Sequence, residues 1–211
     1  GGSQTVCYVT AIAETREEII QLIKKYREGQ HITRAFEMAW SHSDVEIRHQ
    51  QISRSSVLNF QKLANALVYN IASLRASTEV MRRSRLAQNA LWRFGISGDE
   101  PIVLLIINDP DQSELAEELL LAHEYLRLRG IKFDLVILNE NPSGYFQDLQ
   151  EGLGFMIRTG VSQSLVEQRG GVFLRSIQQL SEEETALLQS SARVIFFGSR
   201  GTLASQLNFV E

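Results

Sequence analysis

The sequence predicts an α/β protein: a small parallel sheet of about four strands, in the order β-α-β-α-β-α-β, flanked by helices and preceded by a mostly helical N-terminal region. Three observations carry this. The second half of the chain contains four short apolar runs, PIVLLII (101–107), KFDLVILNE (132–140), GGVFLRS (170–176) and RVIFFG (193–198). Continuous runs of this kind suit strands covered on both faces, as in a parallel sheet. One amphipathic helical stretch lies between each successive pair, which is the pattern of βαβ crossovers. Residues 15–94, by contrast, carry helical periodicity throughout.

The elements follow in order. TVCYVTAIA (5–13) alternates apolar residues at period two and is expected to be a strand. A lone strand is not stable, so it needs a partner elsewhere. Thr15 precedes REEIIQLIKKYR with Glu18 at the third helical position, the spacing of a capping box. Ile19, Ile20, Leu22, Ile23 and Tyr26 form the apolar face, and Gly29 is expected to end the helix. A second helix is expected from about Thr33 to Trp40, extending as far as His49. A third reads SSVLNFQKLANALVYNIASL and a fourth, capped at Ser77, reads STEVMRRSRLAQNALWRF. Gly130 ends the helix after the first apolar run. Ser181 with Glu184 repeats the capping-box spacing before the last full helix.

Between the two halves lies GISGDEP (95–101), where Gly95 and Gly98 provide the freedom for a tight reversal. The expected organisation is a strand remnant of an upstream β-sandwich at 1–14, a helical linker region at 15–94 and an α/β (Rossmann-like) domain at 95–211. The chain opens Gly1-Gly2-Ser3 and stops inside a helix-like stretch, so it reads as a segment of a longer protein.

Composition narrows the function classes. The 211 residues carry a formal net charge of -4, with 44% hydrophobic and 22% charged residues, values of an ordinary globular protein. The single cysteine, Cys7, excludes an internal disulfide and a thiolate-rich zinc site. No apolar run approaches the roughly 18–20 residues of a membrane span, so direct membrane insertion by this segment is not expected. Mild acidity and a short basic patch, MRRSR (81–85), argue against nucleic acid; a solvated or ion-pairing face suits the patch better.

The glycines of GISG enter a strand, whereas in a phosphate-binding loop they leave one. Walker, dinucleotide-fingerprint and Gly-x-Ser-x-Gly motifs are missing from the sequence, and no catalytic residue, metal site or cofactor is assigned. In an open parallel sheet a ligand binds beyond the carboxyl ends of the strands. The residues expected there include Asn108, Asp109, Asn139, Glu140, Arg175 and Ser176. Gly198, Ser199, Arg200, Gly201 and Thr202 follow a strand and open a helix, the order of an anion nest. Asn108, Glu140 and 198–202 are therefore the candidate ligand-binding residues. An ordinary glycine-assisted turn with a solvated arginine accounts for the same letters. Asp109 and Glu140 would make an acid–base pair only if the fold brought them together. His42 and His49, seven apart, share a helix face but have no third ligand at metal spacing. His123 is expected to pack or to face solvent.

Four stretches, AWSHSDVEIRH, RRSRLAQNALWRFGISGDEPIVLL, AHEYLRLRGIKFDLVILNE and GGVFLRSIQQLSEEETALLQSSARVIFFGSRGTLASQL, resemble in this order the interior of cyclic β-1,2-glucan synthases. The likeness spans roughly residues 40–207. The opening YVTAIAETREEIIQLIKKYRE is similar to the end of the β-sandwich that precedes the helical linker in inverting glycoside phosphorylases. The resemblance implies a very large inner-membrane parent that builds β-1,2-glucan from UDP-glucose in a glycosyltransferase region and trims it in a phosphorylase-like region. It implies a segment at the cytoplasmic face, lying between carbohydrate-processing modules, with no catalytic residue of its own and with neighbouring domains as partners. Two alternatives stand beside this reading: an independent ligand-binding or enzymatic α/β domain that meets a glucan or sugar nucleotide at the strand-end crevice, and a carbohydrate-binding module. The last needs exposed aromatic platforms, whereas Trp40 and Trp92 fall on helical apolar stripes and are expected to be buried.

Overall fold

A computed structural model describes residues 2, 4–49, 52–141, 146–160 and 163–208. The chain divides into two compact units, Gly1–Ser53 and Arg54–Glu211. The helices of 54–94 share a compact unit with the sheet.

In the first unit, helix α1 (Arg16–Tyr26) begins with the expected capping box: Thr15 Oγ1 accepts from Glu18 N, and the Glu18 carboxylate accepts from Thr15 N. Gly29 does not end it. Arg27 closes the last turn on Ile23 O, and Gly29 instead opens α2 (Gly29–His49). Residues 5–13 make no strand. They lie along α1, where Val9 and Ala11 border the same 810 Å³ depression as Ile19, Ile23 and Tyr26. Among the described residues no strand pairs with them, and a solitary strand is not stable.

The second unit is built on the expected sheet, all parallel, with strand order β3-β2-β1-β4: β1 (Ile102–Ile107), β2 (Asp134–Asn139), β3 (Val172–Ser176) and β4 (Ala192–Phe197). β1 and β2 are buried at every position, which is why their sequences are continuous apolar runs rather than alternating ones. Side chains of Ile102, Leu104, Ile106, Val136 and Leu138 join Leu91, Phe94, Ile96, Phe173 and Leu187 in one core. Helices α4 (Thr78–Arg83) and α7 (Glu182–Ser191) lie on that face. Helices α3 (Arg54–Val68), α5 (Ser113–Leu128), α6 (Phe146–Thr159) and the short α8 (Leu203–Leu207) form the other layer.

The expected fourth helix is interrupted. After Arg83 the chain extends through Ser84, whose hydroxyl accepts from Ser190 Oγ at 2.8 Å, and resumes as a 3-10 turn, Gln88–Phe94. At three residues per turn, Leu91 and Phe94 point into the core together and Trp92 points out. A 3.6-residue period places Trp92 on the apolar stripe, and the tighter turn corrects this: Trp92 is 68% exposed, and Trp40 in the first unit is 82% exposed. Gly95 at φ 71° closes the turn in a Schellman motif. Its N–H meets Trp92 O, Ile96 N–H meets Leu91 O, and Ile96 and Leu91 share the core. Gly98, at φ 75°, completes the reversal with its carbonyl held by Gln88 Nε2 at 2.8 Å.

Candidate functional site

The sheet order creates a topological switch point: from β1 the chain runs to β2 and β3 on one side, then returns to β4 on the other. The crevice rule therefore selects the carboxyl ends of β1 and β4. The segments there are 108–112 and 198–202, so the structure brings Asn108 to the glycine loop. Glu140 stands at the end of β2 on the opposite flank of β1, with its N–H on Ile107 O at 2.7 Å.

What occupies the switch point is the chain itself. The Gln112 side chain lies against Gly198 so closely that a Cβ at that glycine would sit 2.2 Å from Gln112 Oε1. Gln112 is held there by Asn108, whose N–H donates to Gln112 Oε1 at 3.0 Å and whose Oδ1 accepts from Gln112 Nε2 at 2.8 Å. The buried Gln206 closes the loop from the other side. It accepts from Phe197 N at 3.0 Å and donates to Phe197 O at 2.9 Å and Gly201 O at 3.1 Å. Thr202 Oγ1 accepts from Ser205 N, and Ser205 Oγ lies 2.7 Å from Thr202 O.

Exposed on the rim are Asn108, Ser199, Arg200 and Thr202. The Arg200 guanidinium stacks 4.1 Å from the Phe197 ring centroid, a cation–π contact. The helix that follows has only five residues and is already capped by Thr202, so its N-terminal N–H groups have little left for an anion.

The remaining strand-end groups have structural partners. Asp109 Oδ1 accepts from Asp111 N at 2.9 Å and shapes the turn after β1. Asn139 bonds Gln150 through Nδ2 at 3.1 Å and Asn141 N through Oδ1 at 3.0 Å. Arg175 pairs with Glu167 at 2.6 Å and donates to the Phe94 carbonyl, tying β3 to the 3-10 turn. Glu140 is half-buried, and burial raises its carboxyl above the usual range. The basic patch is partly neutralised by Arg83–Glu79 and Arg93–Glu184 ion pairs, while Arg75 donates to Ser190 O at 3.2 Å. The Ser181 N–H, 2.8 Å away, and Arg93 hold the Glu184 carboxyl below its usual range.

Among the described residues no group of three His, Cys, Asp or Glu could hold a metal ion, and no helix is long and apolar enough to cross a membrane. The side chains of His42 and His49 lie outside the described residues. His123 packs in the interior. Gln112 and Gln206 are the residues that sequence reading missed. A glutamine in the turn before a helix, as Gln112, or inside one, as Gln206, carries no signal that it will turn back onto a strand end.

Among the described residues, amide contacts of Gln112 and Gln206 lie at the carboxyl ends of β1 and β4 of this parallel α/β unit. No protein-family model matches the chain. Over 208 residues, 98% of its length, it is 36% identical to the cyclic beta-(1,2)-glucan synthase NdvB of Rhizobium meliloti (strain 1021), of which it spans 7%. The resemblance read from the sequence is thus matched by a measured identity to a segment of that much longer protein.

Proposed function

We propose that this chain is a non-catalytic inter-domain segment of a large cyclic β-1,2-glucan synthase. In this reading the parent protein makes glucan from UDP-glucose with a glycosyltransferase region at the cytoplasmic face of the inner membrane, and residues 54–211 act as a rigid support for neighbouring modules of the same polypeptide. The observation that carries it is the packing of Gln112 and Gln206 into the switch point where a ligand of an open α/β sheet would lie. The test is direct: the purified chain should release neither UDP from UDP-glucose nor glucose from β-1,2-glucan. Release that scales with protein and survives further purification would overturn the reading. If an anion docks, Ser199, Arg200 and Thr202 are the groups it would meet. Phosphate titrated to millimolar concentration should shift those amides weakly, with Asn108 and Glu140 responding less.

One observation favours a second reading, that of a carbohydrate contact. Trp92 is exposed, and its indole N–H is fixed on Ser97 O at 3.2 Å, which holds the ring in one orientation. A fixed, exposed ring is what stacking on a sugar face needs. Titration with β-1,2-glucan should then change tryptophan emission in the wild type and in Trp40→Phe but not in Trp92→Phe. An unchanged spectrum in all three leaves the supporting role as the function.

A further inference from the structure

At the opposite end of the sheet, two buried titratable groups hold one residue, Gly170, by its N–H and its carbonyl. Gly170 precedes β3 and has φ 69°. Its N–H donates to Asp134 Oδ1 at 2.7 Å, and its carbonyl lies 3.0 Å from His123 Nε2. The same Nε2 is 3.2 Å from Phe133 O. Both neighbours are carbonyl oxygens, so Nε2 must carry the hydrogen. His123 Nδ1 and Asp134 Oδ2 are buried with no hydrogen-bond partner. Asp134 also donates its own N–H to Pro101 O at 2.9 Å, and Gly171 O accepts from Leu135 N at 2.8 Å. The starts of β1, β2 and β3 therefore meet at these residues.

We propose that His123 and Asp134, which hold Gly170 by its carbonyl and its N–H, form a proton-compensating staple that keeps the attachment of edge strand β3 insensitive to mild acid. Protonating His123 would put a second N–H at Nδ1, where nothing accepts it, and burial lowers its pKa from the ordinary value. Its unfolded form takes up a proton near 6.5 and its folded form resists, so this group removes stability as pH falls below 6.5. Asp134 behaves in the opposite way. Ionised, it is a buried carboxylate whose pKa is pushed up to about 6, chiefly by burial, while the Gly170 and Gly171 backbone N–H groups pull the other way. A raised carboxyl contributes stability that is present at low pH and lost as pH rises through about 6. The surrounding charges act in both directions, the acidic neighbour being the stronger in each case. Glu100 raises and Arg169 lowers the Asp134 carboxyl, while Glu124 and Arg127 act in opposite directions on His123. Lys132 packs against Gly170 through its aliphatic stem.

The experiment is urea unfolding of the full chain between pH 4.5 and 7.5 for the wild type, Asp134→Asn and His123→Gln, with each variant read as a ratio to the wild type. Going to acid, Asp134→Asn should lose roughly 30-fold in folding equilibrium relative to the wild type by pH 4.5, the part of the displacement between 3.8 and about 6 that this pH range covers. His123→Gln, which keeps an N–H donor for the two carbonyls, should gain. Ratios that stay flat, or that move in the same direction for both variants, would overturn the proposal. Carbon NMR of the wild-type protein decides the case even if a variant fails to fold. The Asp134 carboxyl should titrate near 6 with the Gly170 amide following it, and a midpoint in the ordinary carboxylate range would refute the staple.

Discussion

The two compact units use similar amphipathic helices with opposite results. In residues 54–211, Phe60, Leu63 and Leu67 of α3 are buried and the sheet beneath is covered on both faces. In residues 1–53, α1 has an apolar stripe and an intact capping box, yet none of its residues is buried, and Tyr8, Phe36 and Trp40 are exposed. An apolar stripe states that a face wants cover; it does not supply the cover. The second unit covers its own stripes with a sheet. Among its described residues the first unit has two helices beside an unladdered segment, and neither supplies a buried face to α1.

The largest expected effect of this contrast lies in core truncation. Leu104→Ala, at the centre of β1, should destabilise the second unit by about 3–5 kcal/mol, as burial without room to collapse implies. Ile23→Ala on α1 should change the melting of the chain by less than about 0.5 kcal/mol. Equal losses in urea unfolding would abolish the distinction between the units. Next in size is the reversal at Gly98. A Cβ there meets Gln88 Nε2 at 2.5 Å and Cγ at 2.9 Å in a left-handed conformation, so Gly98→Val should lose about 1–3 kcal/mol. Melting at the wild-type temperature would show that the turn relaxes freely.

Gln206→Ala should lose about 1–2 kcal/mol, because it leaves Phe197 N–H and the Phe197 and Gly201 carbonyls without their partner. The same variant should enlarge any amide shifts caused by phosphate at 198–202; unchanged shifts would mean that the amide is not what closes the loop. The smallest contrast is between the two capping boxes. Ser181→Ala should cost about 1 kcal/mol in global unfolding, whereas Thr15→Ala should fray α1, seen as faster amide exchange over residues 16–19, and leave the main transition in place.

The sequence by itself determined the parallel sheet, the helices between its strands, both capping boxes and the glycines of the reversal. Each rests on local physics: a run too apolar for a half-exposed strand, a hydroxyl three residues before a glutamate, a left-handed backbone that only Gly95 and Gly98 adopt without strain. It also placed residues 198–202 directly after a strand, as the structure has them. Tertiary structure decided the rest. Whether 5–13 became a strand depended on a partner strand, and whether Trp92 faced inward depended on a 3-10 turn that core packing of Leu91 and Phe94 imposed. That two glutamines turn back onto the ends of β1 and β4 was likewise a matter of tertiary packing. The partnership of His123, Asp134 and Gly170 joins residues up to 47 positions apart, a distance over which no local pattern carries information.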